Sequence, residues 1–142
     1  MPDVNILVYA HRADEKSHAA YRRWLEETIN DPQPIALSVL VAIGFIRIVT
    51  NPAIYATPTP PRVAVAAIEE VLAHPQCRVV LPGPDHLERV LELCRRVSAT
   101  GKLVADAQHA ALAISEGCTW VTRDRDFARF APHGLSWKHL QL

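Results

Sequence analysis

Apolar and polar residues along this chain follow two periods in turn, which predicts strands that alternate with helices. Short apolar runs typical of strands lie at 35–37, 77–81, 118–122 and 135–139. Apolar residues at helical spacing predict helices at 17–30, 38–50, 63–73, 85–97 and 103–115, with a short helical turn at 127–130. Strands alternating with helices form a mostly parallel sheet covered on both faces, so the pattern predicts an α/β fold.

Two segments carry more specific expectations. Residues 5–10 are apolar and β-leaning, so local preference alone leaves them as either a strand or the start of a helix. The stretch 52–61 contains four prolines and predicts a stiff, exposed loop. In the helix at 85–97 the expected apolar face consists of Leu87, Val90, Leu91 and Cys94.

Composition limits the classes of function. At 142 residues the chain is expected to be one domain, 1–142, with no internal repeat or linker. Lys plus Arg and Asp plus Glu are 15 each, so no overall charge attracts nucleic acid or a membrane, and local arginines would have to bind a nucleic acid. Three widely spaced cysteines suggest neither a disulfide framework nor a zinc site.

The expected location is cytoplasmic, without a membrane partner. No apolar stretch is long enough for a membrane span, since such a span needs about 18 consecutive apolar residues. Asp3 stands where a signal peptide would carry basic residues. Cysteines without a pairing pattern are typical of a reducing compartment.

Four aspartates are the candidate chemistry: Asp3, Asp106, Asp124 and Asp126. Ligands of open α/β sheets bind beyond the carboxyl ends of the strands, and the predicted elements bring all four acids to that edge. Clustered carboxylates without cysteine or paired histidine ligands are the usual site of a hard cation such as Mg²⁺. Each acid also has an ordinary interpretation: a frayed terminus for Asp3, the helix dipole for Asp106, and a cap and a solvated turn for the other two.

Several segments together resemble the PIN-domain ribonucleases, and more narrowly the VapC toxins of VapBC type II toxin–antitoxin pairs. The resemblance extends from Asp3 to Trp137, and its segments are Asp3-Val-Asn-Ile-Leu-Val-Tyr-Ala, Phe45-Ile-Arg-Ile-Val-Thr-Asn-Pro, Asp106-Ala with residues 110–118, and Val121-Thr-Arg-Asp-Arg-Asp-Phe. It implies a three-layer α/β/α sandwich around a central, mostly parallel sheet. It also implies that residues 5–10 form a helix after a first strand that ends at Asp3.

The resemblance further implies a Mg²⁺-dependent endoribonuclease, with Mn²⁺ as a substitute, that leaves a 5′-phosphate and a 3′-hydroxyl. Asp3 and Asp106 match the principal metal ligands, Asp124 a third ligand, and Asp126 an auxiliary ligand or water-orienting group. Asn5 matches a residue that fixes Asp3 by hydrogen bonding.

The implied partners are a cognate VapB-type antitoxin, an RNA substrate and a second copy of the chain as a homodimer. Arg123 and Arg125 flank the acids and are the candidate contacts to the RNA backbone, with a solvated face as the ordinary interpretation. Arg47 could contact phosphate or form a structural salt bridge. His109 could reach substrate or the metal's water shell, although a packed histidine is the simpler interpretation.

One acid of the family pattern is missing. Many relatives carry Glu directly after the Ser that opens the second long helix, whereas this chain has Val39 after Ser38, and residues 32–68 contain no Asp or Glu. Two explanations remain open: an enzyme that works with its four aspartates, or an impaired PIN domain that only binds antitoxin or RNA. A phosphatase or response-regulator-like protein is disfavoured, because no aspartate has the required following Thr and downstream Lys.

Overall fold

A computed structural model describes the chain over residues 1–142. Six α-helices, one 3₁₀ helix and four strands follow the predicted order. The helices are α1 Val4–His11, α2 His18–Asn30, α3 Val39–Val49, α4 Pro61–Leu72, α5 His86–Val97, α6 Lys102–Ser115 and the 3₁₀ helix Arg125–His133. The strands are β1 Ile35–Ser38, β2 Cys77–Val80, β3 Trp120–Thr122 and β4 Trp137–His139.

All strand pairings are parallel, as the sequence predicted. β1 pairs with β2, and β3 pairs with β4, while no bridge joins the two pairs. The N-terminus runs parallel to β3 on its free side: Pro2 forms a bridge with Val121, and the amide of Asp3 donates to the Val121 carbonyl at 2.8 Å. The expected first strand is therefore only a single bridge. Because this segment and β3 run in the same direction, the residues that follow each of them leave at the same edge.

Residues 5–10 are helical, so the expectation drawn from the resemblance is confirmed over the local β preference. The Asp3 carboxylate begins α1 by accepting a hydrogen bond from the Val4 amide at 2.6 Å. Ile6, Leu7 and Val8 are buried on this helix. Tertiary burial of apolar side chains outweighs the small helix-propensity penalty of β-branched residues.

The core between α6 and β3 is built from small residues against large ones. Ala107, Ala110, Ala111 and Ala113 of α6 are completely buried. The ring centroids of Trp120 in β3 and Phe127 lie 5.2 Å apart. Alanines let α5 and the 3₁₀ helix approach the α6 backbone closely, while His109 of α6 stacks on Trp120 of β3 with ring centroids 5.3 Å apart. This packing fixes the ends of the two elements that carry three of the candidate acids.

Two sequence expectations were wrong in detail. Leu87 and Leu91 of α5 are exposed at 67% and 47%, whereas Leu93 and Val97 are buried. The apolar residues of α5 define two overlapping faces at helical spacing, and the structure uses the one that packs against the core. The helical turn expected at 127–130 is a longer 3₁₀ helix, Arg125–His133.

The proline-rich loop is held by a buried arginine. The Arg12 guanidinium lies 4.0 Å from the centre of the Tyr55 ring and donates to the Thr57 carbonyl at 2.9 Å. Thr59 at the end of the loop is buried, while most of the loop is exposed as predicted. No helix of the structure combines the length and apolar character that crossing a membrane would require.

Candidate metal centre

Three of the four candidate acids form a compact group. Asp106 of α6, Asp124 after β3 and Asp126 in the 3₁₀ helix each offer a carboxylate oxygen, and these oxygens lie within 4.8 Å of one another. The group is graded in depth: Asp106 is buried, Asp124 is half-buried and Asp126 is exposed. The three acids, which lie up to 20 positions apart in sequence, therefore extend from a buried carboxylate to the protein surface.

Asp106 is the buried end of this group. It is 8% exposed, and its Oδ2 atom is fully buried without a hydrogen-bond partner. Burial, then the negative charges of Asp124 and Asp3, raise its pKa to about 6, although Lys102 opposes the shift. Asp106 lies beyond the first turn of α6, so stabilisation of the helix dipole does not explain it. An unpartnered buried oxygen on a carboxylate that belongs to a group of three fits a hard divalent cation.

Asp3 lies outside that 4.8 Å group, and its oxygens are held by hydrogen bonds. Oδ1 accepts from the Val4 amide at 2.6 Å, and Oδ2 accepts from the Asn5 side-chain amide at 2.7 Å and from the Thr122 hydroxyl at 2.5 Å. Burial raises the Asp3 pKa to about 6, the three hydrogen bonds oppose this, and the charge of Asp124 adds to it. The Asn5 contact has the geometry that the resemblance implied.

Thr122, the last residue of β3, is a member of this network that the sequence analysis missed. Its buried hydroxyl donates to Asp3 and accepts from the Asp124 amide at 2.9 Å and from the Asn5 side chain at 3.2 Å. One donor and two lone pairs are the full capacity of a hydroxyl group. The sequence carried a signal for this role, because Thr122 is a polar residue that ends an apolar strand directly before Arg123 and Asp124.

Asp124 begins the 3₁₀ helix and belongs to the acid group at the same time. Its Oδ1 accepts from the Asp126 amide at 2.9 Å, so the capping interpretation is also correct locally. Burial alone would raise the pKa of Asp124, but hydrogen bonds from Lys102 and from the Asp126 amide outweigh it and lower the pKa. Asp124 therefore loses its proton more readily than Asp3 and Asp106, whose pKa values are raised.

Lys102 is the second residue that the sequence analysis missed. Its ammonium forms an ion pair with Asp124 Oδ2 and lies 3.8 Å from Asp126 Oδ2. It is the first residue of α6 and stands one turn before Asp106, a spacing that places both on one face of the helix. That spacing of opposite charges was visible in the sequence.

The two candidate RNA-binding arginines have different surroundings. Arg123 lies half-buried over Tyr9 and Tyr21, with its guanidinium carbon 4.6 and 5.5 Å from the ring centres. Arg125 is exposed between Asp124 and Asp126 and forms no ion pair. Arg125 is thus free to meet a ligand, whereas Arg123 also stabilises the packing of α1 and α2.

His109 and Arg47 have no part in the acid group. His109 stacks on Trp120 with ring centroids 5.3 Å apart, and burial lowers its pKa to about 4. The packed-histidine interpretation is therefore correct. Arg47 is exposed and pairs with no acid, so neither the salt bridge nor a contact to the acid cluster is present.

The position of the missing acid lies at the start of α3. Val39 is its first residue and is half-buried, and the Ser38 hydroxyl caps the helix by accepting from the Leu40 amide at 3.1 Å. Neither β1 nor α3 contains an acidic residue. The acid group is therefore limited to aspartates of α6 and of the segment after β3, with Asp3 beside it.

Comparison with known proteins gives a consistent result. The PIN domain family model matches residues 1–132. Ribonuclease VapC43 of Mycobacterium tuberculosis is 44% identical over 137 residues, which cover 96% of this chain and 92% of that protein. Ribonuclease VapC31 of the same organism is 40% identical over 129 residues, or 91% of each chain.

Two solved structures share the fold. The crystal structure of VapBC2 from Rickettsia felis, bound to a DNA fragment from their promoter, aligns over 97% of this chain and 96% of that chain, with a TM-score of 0.69 and 21% identity. VapC20 of Mycobacterium tuberculosis, described as a sarcin-ricin loop cleaving toxin, aligns over 95% of each chain with a TM-score of 0.66 and 18% identity. At these identities the likeness concerns the fold, and it agrees with the predicted α/β sandwich.

Proposed function

Because the chain belongs to the PIN-domain family, as a VapC-type toxin endoribonuclease, we propose that its clustered aspartates bind the divalent cation that RNA cleavage requires. The observation that carries this proposal is the buried Oδ2 atom of Asp106. It has no hydrogen-bond partner, although Asp106 belongs to a group whose carboxylate oxygens lie within 4.8 Å of one another. A buried charged oxygen without a partner is strongly unfavourable unless a ligand satisfies it.

The donor set favours a hard ion. Only carboxylate oxygens converge at this place, and oxygen ligands suit Mg²⁺ and Mn²⁺ rather than zinc or copper. We assign Asp3, Asp106 and Asp124 as ligands and Asp126 as the auxiliary group at the exposed side. When bound, the ion would supply charge stabilisation to a phosphoryl group and would activate water for attack.

The chain's own residues would hold this site in position. Thr122 and Asn5 orient the Asp3 carboxylate, and the same Thr122 hydroxyl holds the Asp124 amide. These contacts tie the start of α1 to the end of β3, so the two acids keep a fixed separation. Outer partners of this kind commonly change metal affinity or activity by roughly 10- to 100-fold when they are removed.

We also propose the contacts to RNA. Arg125 is exposed beside the acids and can pair with a backbone phosphate through its guanidinium group. Arg123 would contribute through the edge of its guanidinium that the Tyr9 and Tyr21 rings leave open. Since the chain has no net positive charge, the metal and these arginines would provide most of the attraction for RNA.

The proposed partners are a VapB-type antitoxin and a second copy of the chain. Support for the antitoxin comes from the VapBC2 structure, which contains a related fold together with its antitoxin. Support for a protein interface comes from exposed apolar side chains on α3 and α4, among them Ile43, Val63 and Val65.

The impaired-enzyme alternative rests on Val39 alone. Four aspartates and Asn5 remain in place, and the similar proteins VapC43 and VapC31 carry the name ribonuclease. Mg²⁺ keeps several waters and needs only one or two carboxylates together with substrate phosphate. The active enzyme is therefore the better supported interpretation.

The test is cleavage of total RNA by purified protein with Mg²⁺ or Mn²⁺. Wild type should cleave, and a chelator should stop it. Asp106→Asn should abolish both cleavage and growth inhibition, whereas Asp85→Asn, which alters an exposed aspartate without a side-chain capping bond, should change neither. Full activity of Asp106→Asn would refute the assignment.

A further inference from the structure

A cation belonging to the chain itself already occupies the exposed side of the acid group. The Lys102 ammonium forms an ion pair with Asp124 Oδ2 and lies 3.8 Å from Asp126 Oδ2. Its side chain is 64% exposed and comes from the first residue of α6. Lysine presents a compact point charge on a flexible stem, so this ammonium can leave the acids without any movement of the backbone.

Lys102 satisfies only part of the group. Asp106 Oδ2 is buried and unpartnered even with the ammonium in place. The ammonium therefore offsets one negative charge at the two outer carboxylates and leaves the inner oxygen without a partner. An ordinary surface ion pair does not lie next to a third, buried carboxylate. The unpartnered oxygen of Asp106 indicates that the group can bind a further cation of higher charge.

We propose that Lys102 competes with the divalent cation for Asp124. Its ammonium pairs with the Asp124 carboxylate in the metal-free protein and leaves that carboxylate when the ion binds. This inference rests on the metal site proposed above. An ammonium and a metal ion cannot both bind the same carboxylate oxygen at short range, so each weakens the binding of the other. The metal affinity of this chain is then lower than its four aspartates alone would give.

The expected size of the effect is modest. Exposed ion pairs of this type are weak, so removing the competitor should tighten divalent binding by about two- to fivefold. Since screening by salt weakens exposed pairs, the gain should shrink at high ionic strength.

The experiment is a calorimetric titration of the full, metal-free chain with Mn²⁺. The variants are Lys102→Gln, which removes the charge, Lys102→Arg, which keeps it, and Lys16→Gln, which removes a charge from an exposed loop residue without an ion pair. We expect about two- to fivefold tighter binding for Lys102→Gln, with the other two variants within about twofold of wild type.

Each other outcome decides against the proposal. Unchanged or weaker binding in Lys102→Gln would overturn the role of Lys102 while leaving the metal site intact. An equal gain in Mn²⁺ affinity in Lys16→Gln would show that the effect comes from the overall charge of the protein, and this result would also overturn the proposal. Absence of Mn²⁺ binding in all four proteins would overturn the metal site together with this inference.

Discussion

The hydroxyl of Thr122 donates a hydrogen bond to Asp3 Oδ2 across 2.5 Å, although 119 positions separate the two residues in sequence. The Thr122 hydroxyl oxygen in turn accepts a hydrogen bond from the Asp124 amide at 2.9 Å. One side chain thus links the acid that begins α1 to the acid that follows β3. This threonine, together with the backbone hydrogen bond from Asp3 to Val121, holds the two acids in their relative position.

Thr122→Val keeps the shape of this side chain and removes all of its hydrogen bonds. We expect the free energy of unfolding to fall by about 1–3 kcal/mol, because buried groups of Asp3 and Asp124 lose a partner. Cleavage should fall by roughly tenfold or more, since Asp3 is no longer oriented. Urea denaturation and RNA cleavage assays measure the two effects. Thr57→Val, in an exposed threonine of the proline-rich loop whose hydroxyl forms no hydrogen bond within the protein, is the matched control and should alter neither.

Metal binding should depend on pH because two of the acids hold protons unusually firmly. Burial raises the pKa of both Asp3 and Asp106 to about 6. Below that pH the metal-free protein binds protons that a cation must displace, so lowering the pH weakens metal binding. The Mn²⁺ dissociation constant should rise by roughly tenfold or more between about pH 7.5 and about pH 5.5. A constant value over this range, measured by calorimetry, would contradict the assignment of these carboxylates as ligands.

Replacing Val39 by Glu tests the missing acid. A carboxylate at the first residue of α3 is favoured by the helix dipole, so the variant should fold. If Val39 lies where the family places its Glu, Mn²⁺ should bind more tightly by up to about tenfold, whereas Val39→Gln, which adds the same bulk without charge, should not show this gain. RNA cleavage should be present in wild type and retained in Val39→Glu. Activity that arises only in Val39→Glu would support the impaired-enzyme alternative.

Gly101 sets the direction in which α6 begins and thereby positions Lys102. Its φ of 53° lies in the left-handed region that side chains disfavour. Gly101→Ala should lower the free energy of unfolding by about 1–3 kcal/mol. At Gly83 a Cβ would meet open space and φ is not positive, so Gly83→Ala should hardly change the free energy of unfolding. Equal stability of the two variants in thermal denaturation would show that the α6 start does not need this backbone conformation.

The order and type of nearly all elements could be predicted from the sequence, because their signals are local. The helix α3 is an example: Ser38 caps it and Asn51-Pro52 follows its end, and the structure places it at Val39–Val49. The helical state of residues 5–10 was not decided by local preference, since apolar β-branched residues suit both states. Burial of Ile6 and Leu7 against distant parts of the chain decides it.

The sequence pointed to the acids of the candidate site and to Asn5, but not to Thr122 and Lys102. Asp124 and Asp126 follow from the rule that parallel strands deliver their loops to one edge, whereas the role of Asp106 on α6 was implied by the resemblance. Both residues left a signal in the sequence, a polar strand end for Thr122 and a four-residue spacing from Asp106 for Lys102, but their contacts depend on side-chain distances that the sequence does not contain. The buried face of α5 was wrong for a similar reason: two faces satisfy the helical period, and only packing chooses Leu93 and Val97.

Anomalous scattering from a crystal soaked with Mn²⁺ would show directly where the ion binds. We expect one strong peak within coordination distance of the Asp106 and Asp124 carboxylates, with the Lys102 ammonium withdrawn from Asp124. A chain that binds Mn²⁺ elsewhere, with Lys102 still paired to Asp124 and no peak beside Asp106, would contradict this expectation.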